Sequence, residues 1–205
     1  LLLNILPAQV AKELKAHGAA SAHKYDNVSV LFSDFKNFSH LAEKVSPVEL
    51  VSELDYCFRN FDRIIEKYRL EKIKTIGDAY MCAGGFHTKT NDHLNRIIRA
   101  GLEMQAFLAK WKEERSAKNE PFMEARIGIH TGPVVAGVVG AKKFAYDIWG
   151  DTVNIASRME SNSAPGRINI SEDTYNVIKS DFDCEYRGEL AVKNRGDLKM
   201  YFVNV

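Results

Sequence analysis

The chain has 205 residues, of which 45% are hydrophobic and 27% are charged, and its formal net charge is +1. These values are ordinary for a globular protein that buries one sizeable core. A net charge so close to zero argues against a nucleic-acid polymer or an anionic membrane as the main partner. The cysteines Cys57, Cys82 and Cys184 are odd in number and lack metal-ligand spacing. They are typical of buried thiols in a reducing compartment such as the cytoplasm.

Apolar residues recur at three- and four-residue steps near the start of the chain, which predicts an amphipathic helix. They are Leu2, Leu3, Leu6, Val10 and Leu14. Residues 17–27 are polar, so we expect a helix and linker over residues 1–25 and one globular domain over 26–205. The helix either packs on its own domain or pairs with its copy and transmits a signal.

The N-terminal residues also bear on what lies upstream. The sequence does not begin with Met, so we expect a longer protein with an upstream sensor or regulatory domain, and a membrane anchor there stays open. No run of about 18 apolar residues occurs, so no membrane contact is expected within this fragment.

Turn residues and apolar periodicity predict the elements that follow. Residues 28–35 form a strand that is apolar on both faces and therefore central in a sheet. A long helix begins at Pro47, where Ser46 and Glu49 form a capping box. A hairpin is expected around residues 77–78, and further helices are expected at 92–111, 152–159 and 172–179. Further strands are expected at 122–131, 134–139, 167–170, 182–190 and 199–203. We also expect a charged loop at 113–120 and a turn at 132–133.

The predicted order of these elements is β-α-β-β-α-β with additions. This order indicates an α+β fold with a ferredoxin-like core and added strands and helices. We expect the helices to lie on one face of a mainly antiparallel sheet.

Two carboxylates are predicted at the tips of neighbouring strands. Asp78 follows Gly77 in a tight turn between two short strands, because Gly tolerates positive φ and Asp caps turn amides. Asp34 ends the apolar run of residues 28–35. Such a pair suits two hard divalent cations, and Mg²⁺ usually completes its shell with substrate phosphates.

A second group of polar residues is predicted on one helix and the turn before the last strand. Asn154 and Arg158 are four residues apart in a helical stretch, so they share one face. An amide beside a guanidinium suits a sugar hydroxyl and a phosphate. Lys193 adds a cation in the turn. With the two carboxylates, these residues predict phosphoryl transfer from a nucleoside triphosphate.

These motifs, in this order, resemble the catalytic domain of the class III nucleotidyl cyclases, of the adenylyl cyclase type. They are residues 32–35 (FSDF), 74–81 (KTIGDAYM), 128–134 (GIHTGPV) and 146–150 (YDIWG), followed by Asn154 and Arg158. The resemblance covers about residues 26–204. It implies the class III cyclase fold and conversion of ATP into cyclic AMP and pyrophosphate. It also implies two Mg²⁺ or Mn²⁺ per active site, held by Asp34, Asp78 and the backbone carbonyl of Phe35.

The same resemblance implies roles for the phosphate and ribose ligands. Arg158 would stabilise charge on the α-phosphate, Asn154 would orient the ribose, and Lys193 would hold the terminal phosphate. Backbone amides after Asp34, where the next helix begins, would cradle the phosphates. The residues concerned are Phe35, Asn37 and Phe38.

The family reads the purine with two residues that correspond here to Lys74 and Asp147. Adenine presents an acceptor at N1 and a donor at its amino group, which match a Lys donor and an Asp acceptor. Guanine inverts this edge, and a Glu in place of Lys74 would suit it. The sequence therefore favours ATP. A guanylyl cyclase and a catalytically silent nucleotide-binding dimerisation module are the alternatives, although the presence of the metal and phosphate ligands weighs against the silent module.

The family places its active site between two domains that meet head to tail. One domain supplies the metal carboxylates, and the other supplies the purine pair, Asn154, Arg158 and Lys193. Because this chain carries both sets, the resemblance implies a homodimer with two equivalent sites. His130 lacks a nucleophile or a second metal-ligating His at a suitable spacing, so we expect it to be a packed structural histidine.

Overall fold

A computed structural model of the chain describes residues 6–36, 38–43, 45–86, 91–140, 144–192 and 196–204. The helices are α1 (Ala8–His17), α2 (Phe38–Ala42), α3 (Pro47–Lys67), α4 (Asp92–Ala117), α5 (Asp151–Ser161) and α6 (Glu172–Ile178). The strands are β1 (His23–Lys36), β2 (Glu71–Ile76), β3 (Ala79–Gly84), β4 (Glu124–Val139), β5 (Ala145–Trp149), β6 (Ile168–Ser171), β7 (Cys184–Val192) and β8 (Gly196–Val203). None of these helices has both the length and the apolar character needed to cross a membrane.

One sheet runs through the molecule in the order β2-β3-β1-β4-β6-β8-β7, and β5 pairs with β4 outside this path. The pair β4 and β6 is parallel, and the other pairs are antiparallel. The central strands β1 and β4 share the longest register, from His23 opposite Ala136 to Lys36 opposite Glu124. The predicted α+β fold with a βαββαβ core and a mainly antiparallel sheet is confirmed.

Helices cover both faces of the sheet, so the expectation of helices on one face is wrong. Helices α3, α4 and α6 pack over Leu31, Ile127 and their neighbours. Helix α5 packs on the opposite face, where Val30 and Phe32 lie. The continuous apolar run of β1 has this cause, because successive side chains of a strand point to opposite faces and both are buried here.

Helix α5 can approach β4 closely because residue 128 is a glycine. A Cβ built at Gly128 would lie 1.9 Å from the backbone nitrogen of Glu160, which no side chain could tolerate. Gly128 therefore lets the backbone of α5 rest on the strand, and this contact fixes which α5 side chains face the end of β1.

Strand β4 is continuous, so the turn predicted at residues 132–133 is wrong. Pro133 cannot donate a ladder hydrogen bond, and it is tolerated because β1 bulges opposite it. The register shifts between Tyr25, which pairs with Val134, and Val28, which pairs with Gly132. Because of the bulge, no residue of β1 pairs with Pro133, so its missing N–H leaves no carbonyl of β1 without a donor.

The N-terminal segment packs on its own chain. Leu6, Val10 and Ala11 are buried against side chains that include Val138 of β4 and Tyr146 of β5. Strand β1 begins at His23, so the predicted linker over residues 17–27 is wrong in its second half, and the boundary at 25/26 falls inside a strand. Leu2 and Leu3 lie outside the described residues. A dimerising or signal-transducing role for residues 1–25 stays a prediction.

Most helix boundaries agree with the sequence pattern. Helix α3 begins at Pro47 with the predicted capping box, in which Ser46 and Glu49 bond each other's backbone. Helix α4 continues to Ala117, so the charged loop predicted from residue 113 is wrong for five residues. Ion pairs support this extra turn, among them that of Arg115 with Glu53 at 2.7 Å.

Candidate functional site

Asp34 and Asp78 lie together at one edge of the sheet. Ser33 of β1 pairs with Tyr80 of β3, so the turn that carries Asp78 sits beside the end of β1. Gly77 adopts a φ of 61° in this turn, the positive value that the sequence indicated. The Asp78 carboxyl accepts a hydrogen bond from the backbone N–H of Phe35 and interacts directly with the Asp34 carboxyl.

The electrostatics of this pair fit a divalent cation. Burial raises the pKa of Asp78, and the charge of Asp34 and a hydrogen bond with its carboxyl raise it further. A cation shared by both carboxylates would relieve this repulsion. Among the described residues no group of three or more His, Cys, Asp and Glu could hold a metal. A pair of carboxylates is a donor set that fits a hard ion, which completes its shell with substrate oxygens.

Sequence reasoning missed the cation at this edge, Arg126. It lies directly opposite Asp34 in the register of β1 and β4, and its Nη2 donates a hydrogen bond to Asp34 Oδ2 at 2.8 Å. The same Nη2 lies 3.0 Å from Glu160 Oε1. An arginine inside the apolar run of residues 125–129 is the sequence signal that could have drawn notice to it.

Glu160, the other residue that was missed, is held over this edge by α5. Its side chain is only 9% exposed, and the close approach of α5 to Gly128 fixes its backbone. Burial raises the pKa of Glu160 to about 7, and the nearby charge of Asp34 adds to the rise, although Arg126 opposes it. We call Asp34, Asp78, Arg126 and Glu160 the carboxylate edge.

The structure brings the predicted purine pair together. Lys74 of β2 and Asp147 of β5 are 73 residues apart in the chain, and Lys74 Nζ lies 2.5 Å from Asp147 Oδ2. The other oxygen, Oδ1, accepts a hydrogen bond from the backbone N–H of Ile148 at 2.9 Å. The Asp147 side chain is therefore held in place, and its second oxygen faces the lysine.

Asn154 and Arg158 lie one turn apart on α5, as predicted, and both are exposed. We call Lys74, Asp147, Asn154 and Arg158 the nucleoside face. Lys193 and Asn37, which were predicted to contact phosphates, lie outside the described residues. Phe38 begins α2 and packs partly buried against the main core.

Two aromatic or heterocyclic side chains near the site belong to the core. Phe35 is 3% exposed and stacks on Phe58 and Phe61, each with ring centroids 6.2 Å away. Only its backbone is available to a ligand. His130 is 1% exposed and its Nδ1 lies 2.6 Å from Ser171 Oγ, as expected for a structural histidine.

Comparison with known proteins gives three findings. Residues 20–205 match the family described as the Adenylate and Guanylate cyclase catalytic domain. An adenylate cyclase of Mycobacterium bovis is 40% identical over 204 residues, which is 99% of this chain and 45% of the relative. A receptor-type guanylate cyclase of Caenorhabditis elegans is 39% identical over 208 residues, which is 99% of this chain and 18% of the relative.

The fold is also found among solved structures. The crystal structure of the adenylyl cyclase CyaB from P. aeruginosa superposes with a TM-score of 0.84 at 29% identity, covering 91% of this chain and 97% of that chain. The chain spans less than half the length of the two sequence relatives. The relatives include both adenylate and guanylate cyclases, so the base has to be argued from the site.

Proposed function

Because the chain belongs to the adenylate and guanylate cyclase catalytic domain family, the class III nucleotidyl cyclases, we propose that it converts ATP into 3′,5′-cyclic AMP and pyrophosphate. The reaction forms a bond between the ribose O3′ and the α-phosphorus. The bond from that phosphorus to the β-bridging oxygen breaks, and pyrophosphate leaves with its electron pair. The proton of the 3′-hydroxyl passes to solvent.

The contact between Lys74 and Asp147 carries the choice of ATP over GTP. Lys74 Nζ can donate to adenine N1, and the Asp147 oxygen that it now contacts can accept from the 6-amino group. Guanine would bring a donor to the lysine and an acceptor to the aspartate, so its polar groups and those of the site would stay unpaired. Unpaired polar groups in a closed site reject the wrong substrate strongly.

The carboxylate edge supplies the metal ligands. Asp34 and Asp78, assisted by the Phe35 carbonyl, would hold two Mg²⁺ or Mn²⁺. Such ions, when bound, polarise the attacking hydroxyl and neutralise the triphosphate. The direct interaction of the two carboxyls supports this assignment, because burial and the charge of Asp34 raise the pKa of Asp78 and a cation would offset that charge.

The nucleoside face supplies the other groups. Arg158 would donate to the α-phosphate as negative charge grows there, which is the largest single contribution expected from one side chain. Asn154, on the same face of α5, would hydrogen-bond the ribose and align O3′ with the phosphorus. Lys193 would hold the terminal phosphate, and the amides of Phe35, Asn37 and Phe38 would bind phosphate oxygens.

We infer that two copies of the chain assemble head to tail, so that the carboxylate edge of one meets the nucleoside face of the other. Exposed apolar side chains beside the purine pair support this assembly. Ile76 is 55% exposed, and the cross-strand neighbours Val135 and Trp149 are each 40% exposed. A second copy would cover them, and isolated chains should be inactive.

The test is the rate of cyclic nucleotide formation from ATP and from GTP with Mn²⁺, measured over a range of protein concentration. We expect ATP to be preferred and the activity per chain to rise with concentration as dimers form. Preference for GTP would overturn the base assignment. No product from either nucleotide would favour the catalytically silent binding module.

A further inference from the structure

Arg126 lies between two carboxylates and forms an ion pair with each, but its well-aligned hydrogen bond goes to Asp34. Its Nη2 donates to Asp34 Oδ2 at 2.8 Å and lies 3.0 Å from Glu160 Oε1. Despite that distance, Glu160 Oε1 is buried and makes no hydrogen bond with any described residue. The Nε of Arg126 is likewise buried without a hydrogen bond among these residues. The guanidinium thus has a second anionic neighbour to which a small rotation would give it a hydrogen bond.

A divalent cation on Asp34 would compete with this arrangement. The Asp34 oxygen that Arg126 contacts is a lone-pair donor that a metal would need, and a charge-assisted hydrogen bond is among the stronger ones in a protein. The Arg126 side chain is 19% exposed. If Arg126 lost Asp34 and found no other carboxylate, a largely buried cation would be left unpaired beside a metal, at a large cost.

Glu160 is placed to prevent that loss. Its carboxylate is already within 3.0 Å of the nitrogen that would be released. Its backbone lies directly against β4 at Gly128, so Glu160 already stands beside the strand that carries Arg126. The transfer therefore needs a rotation of one side chain and no movement of a helix.

We propose that Arg126 is the counter-cation of Asp34 in the metal-free protein, and that Glu160 receives Arg126 when a divalent cation takes Asp34. Arg126 and Glu160 are then positioning residues that set the affinity of the carboxylate edge for metal. Metal affinity without nucleotide is lower than two free carboxylates would give. This inference rests on the proposed metal role of Asp34 and Asp78.

The test is a double-mutant cycle on Mn²⁺ binding, measured without nucleotide from the electron paramagnetic resonance signal of free Mn²⁺. Arg126→Met removes the competitor and should tighten binding by about tenfold, within the usual range for coupled sites. Glu160→Gln removes the alternative partner, holds Arg126 on Asp34, and should weaken binding by about fivefold. In the Arg126→Met background, Glu160→Gln should change binding by less than about twofold, because no arginine remains to be received.

Additivity in this cycle would overturn the inference, since Glu160 would then act by its charge alone. Glu124→Gln is the matched control: it removes a carboxylate from the same strand, where Glu124 pairs with Lys112 at 2.8 Å, and should leave Mn²⁺ binding unchanged. Should Arg126→Met fail to fold, Arg126→Lys serves in the cycle, because a lysine lacks the planar fork that lies between two carboxylates.

Failure of the proposed function gives a different result. Asp78→Asn should abolish Mn²⁺ binding both alone and with 3′-deoxy-ATP, which cannot cyclise. If the unaltered protein bound no Mn²⁺ with this nucleotide, or if Asp78→Asn bound it normally, the metal assignment would fall, and the inference with it. Normal binding that depends on Asp78, combined with an additive cycle, would overturn the inference alone.

Discussion

The carboxylate edge and the nucleoside face are built in different ways. At the carboxylate edge, Asp34 and Arg126 are cross-strand neighbours, and the acidic groups find their partners within one chain. On the nucleoside face, Asn154 and Arg158 point to solvent. One region is partly compensated by its own arginine before any ligand arrives, whereas part of the other presents its polar groups outward.

This difference indicates how each region should respond to change. The geometry of the carboxylate edge depends on sheet register and on the packing of α5, so its variants should change the metal ligands of the chain that carries them. The exposed groups of the nucleoside face can serve a second copy, so a variant of either region should be complemented by a chain in which that region is intact. The following changes test that contrast, in order of decreasing effect.

Removing one metal carboxylate should have the largest effect. Asp78→Asn keeps the shape and should reduce turnover by more than about 10³, since it removes a ligand of both proposed ions. The melting temperature should not fall, because burial and the charge of Asp34 raise the pKa of Asp78, so its negative charge is unfavourable in the fold. Asp183→Asn, at an exposed aspartate bonded to Asn204, is the control. Near-normal turnover by Asp78→Asn would refute the metal assignment.

Arg158→Ala tests the nucleoside face. We expect kcat to fall by about 10²–10³ with little change in KM, because the contact forms mainly in the transition state. Steady-state kinetics with ATP measure both constants. Arg59→Ala removes an exposed arginine of α3 that pairs with Asp55 and should leave both unchanged. A rise in KM at constant kcat would assign Arg158 to ground-state binding instead.

The double variant Lys74→Glu with Asp147→Cys should move substrate preference towards GTP by about 10- to 100-fold in kcat/KM. It reverses the donor at residue 74 and removes the carboxylate at residue 147. Lys74→Glu alone serves as the comparison: it should lose activity with ATP without gaining as much with GTP, because Asp147 stays. Unchanged selectivity of the double variant would mean that other groups read the base.

Mixing two inactive proteins tests the head-to-tail arrangement directly. Asp78→Ala and Arg158→Ala chains, mixed in equal amounts, form half heterodimers if exchange is random, and each heterodimer has one intact site. Activity should therefore recover to about a quarter of the normal value. Each variant alone, at the same total concentration, is the control. No recovery, with exchange verified, would show that the two sets of residues act within one chain.

The sequence predicted more of the nucleoside face than of the carboxylate edge. Asp34, Asp78, Lys74 and Asp147 stand in local motifs: turn and strand patterns placed the first two, and the resemblance to the cyclase family identified the other two. Arg126 and Glu160 carry no local motif. Their proximity to Asp34 depends on the register of β1 against β4 and on α5 lying on the second face of the sheet.

The errors in the predicted fold have the same origin. The continuity of β4 through Pro133 depends on a bulge in another strand, more than 100 residues earlier in the chain. Helices on both faces were implied by the apolar run of β1, but the sequence does not say which helix covers which face. Long-range pairing decides such features, whereas caps and turns are decided by residues close in sequence.

The smallest expected effect concerns Glu160 and pH. The folded pKa of Glu160 is about 7, above the ordinary value of 4.5, mainly because of burial. A carboxyl whose pKa is raised by folding makes its full contribution to stability below pH 4.5, and this contribution is lost as pH rises through 7. Gln stays neutral, so Glu160→Gln should gain stability relative to the unaltered protein over that window. For a domain of this size each 1 kcal/mol gained raises the melting temperature by about 2–4 °C.

Thermal unfolding in metal-free buffer from pH 5 to 8 measures this difference, and Glu124→Gln is the control for loss of a carboxylate outside the carboxylate edge. If the difference instead falls as pH rises, the ion pair of Glu160 with Arg126 outweighs burial, and the carboxylate edge binds its arginine more firmly than the pKa of Glu160 indicates. In both cases the pH dependence of the difference in melting temperature measures how much the charge on Glu160 destabilises the fold while Arg126 is hydrogen-bonded to Asp34. A metal on Asp34 would reduce this destabilisation, because it would release Arg126 to pair with Glu160.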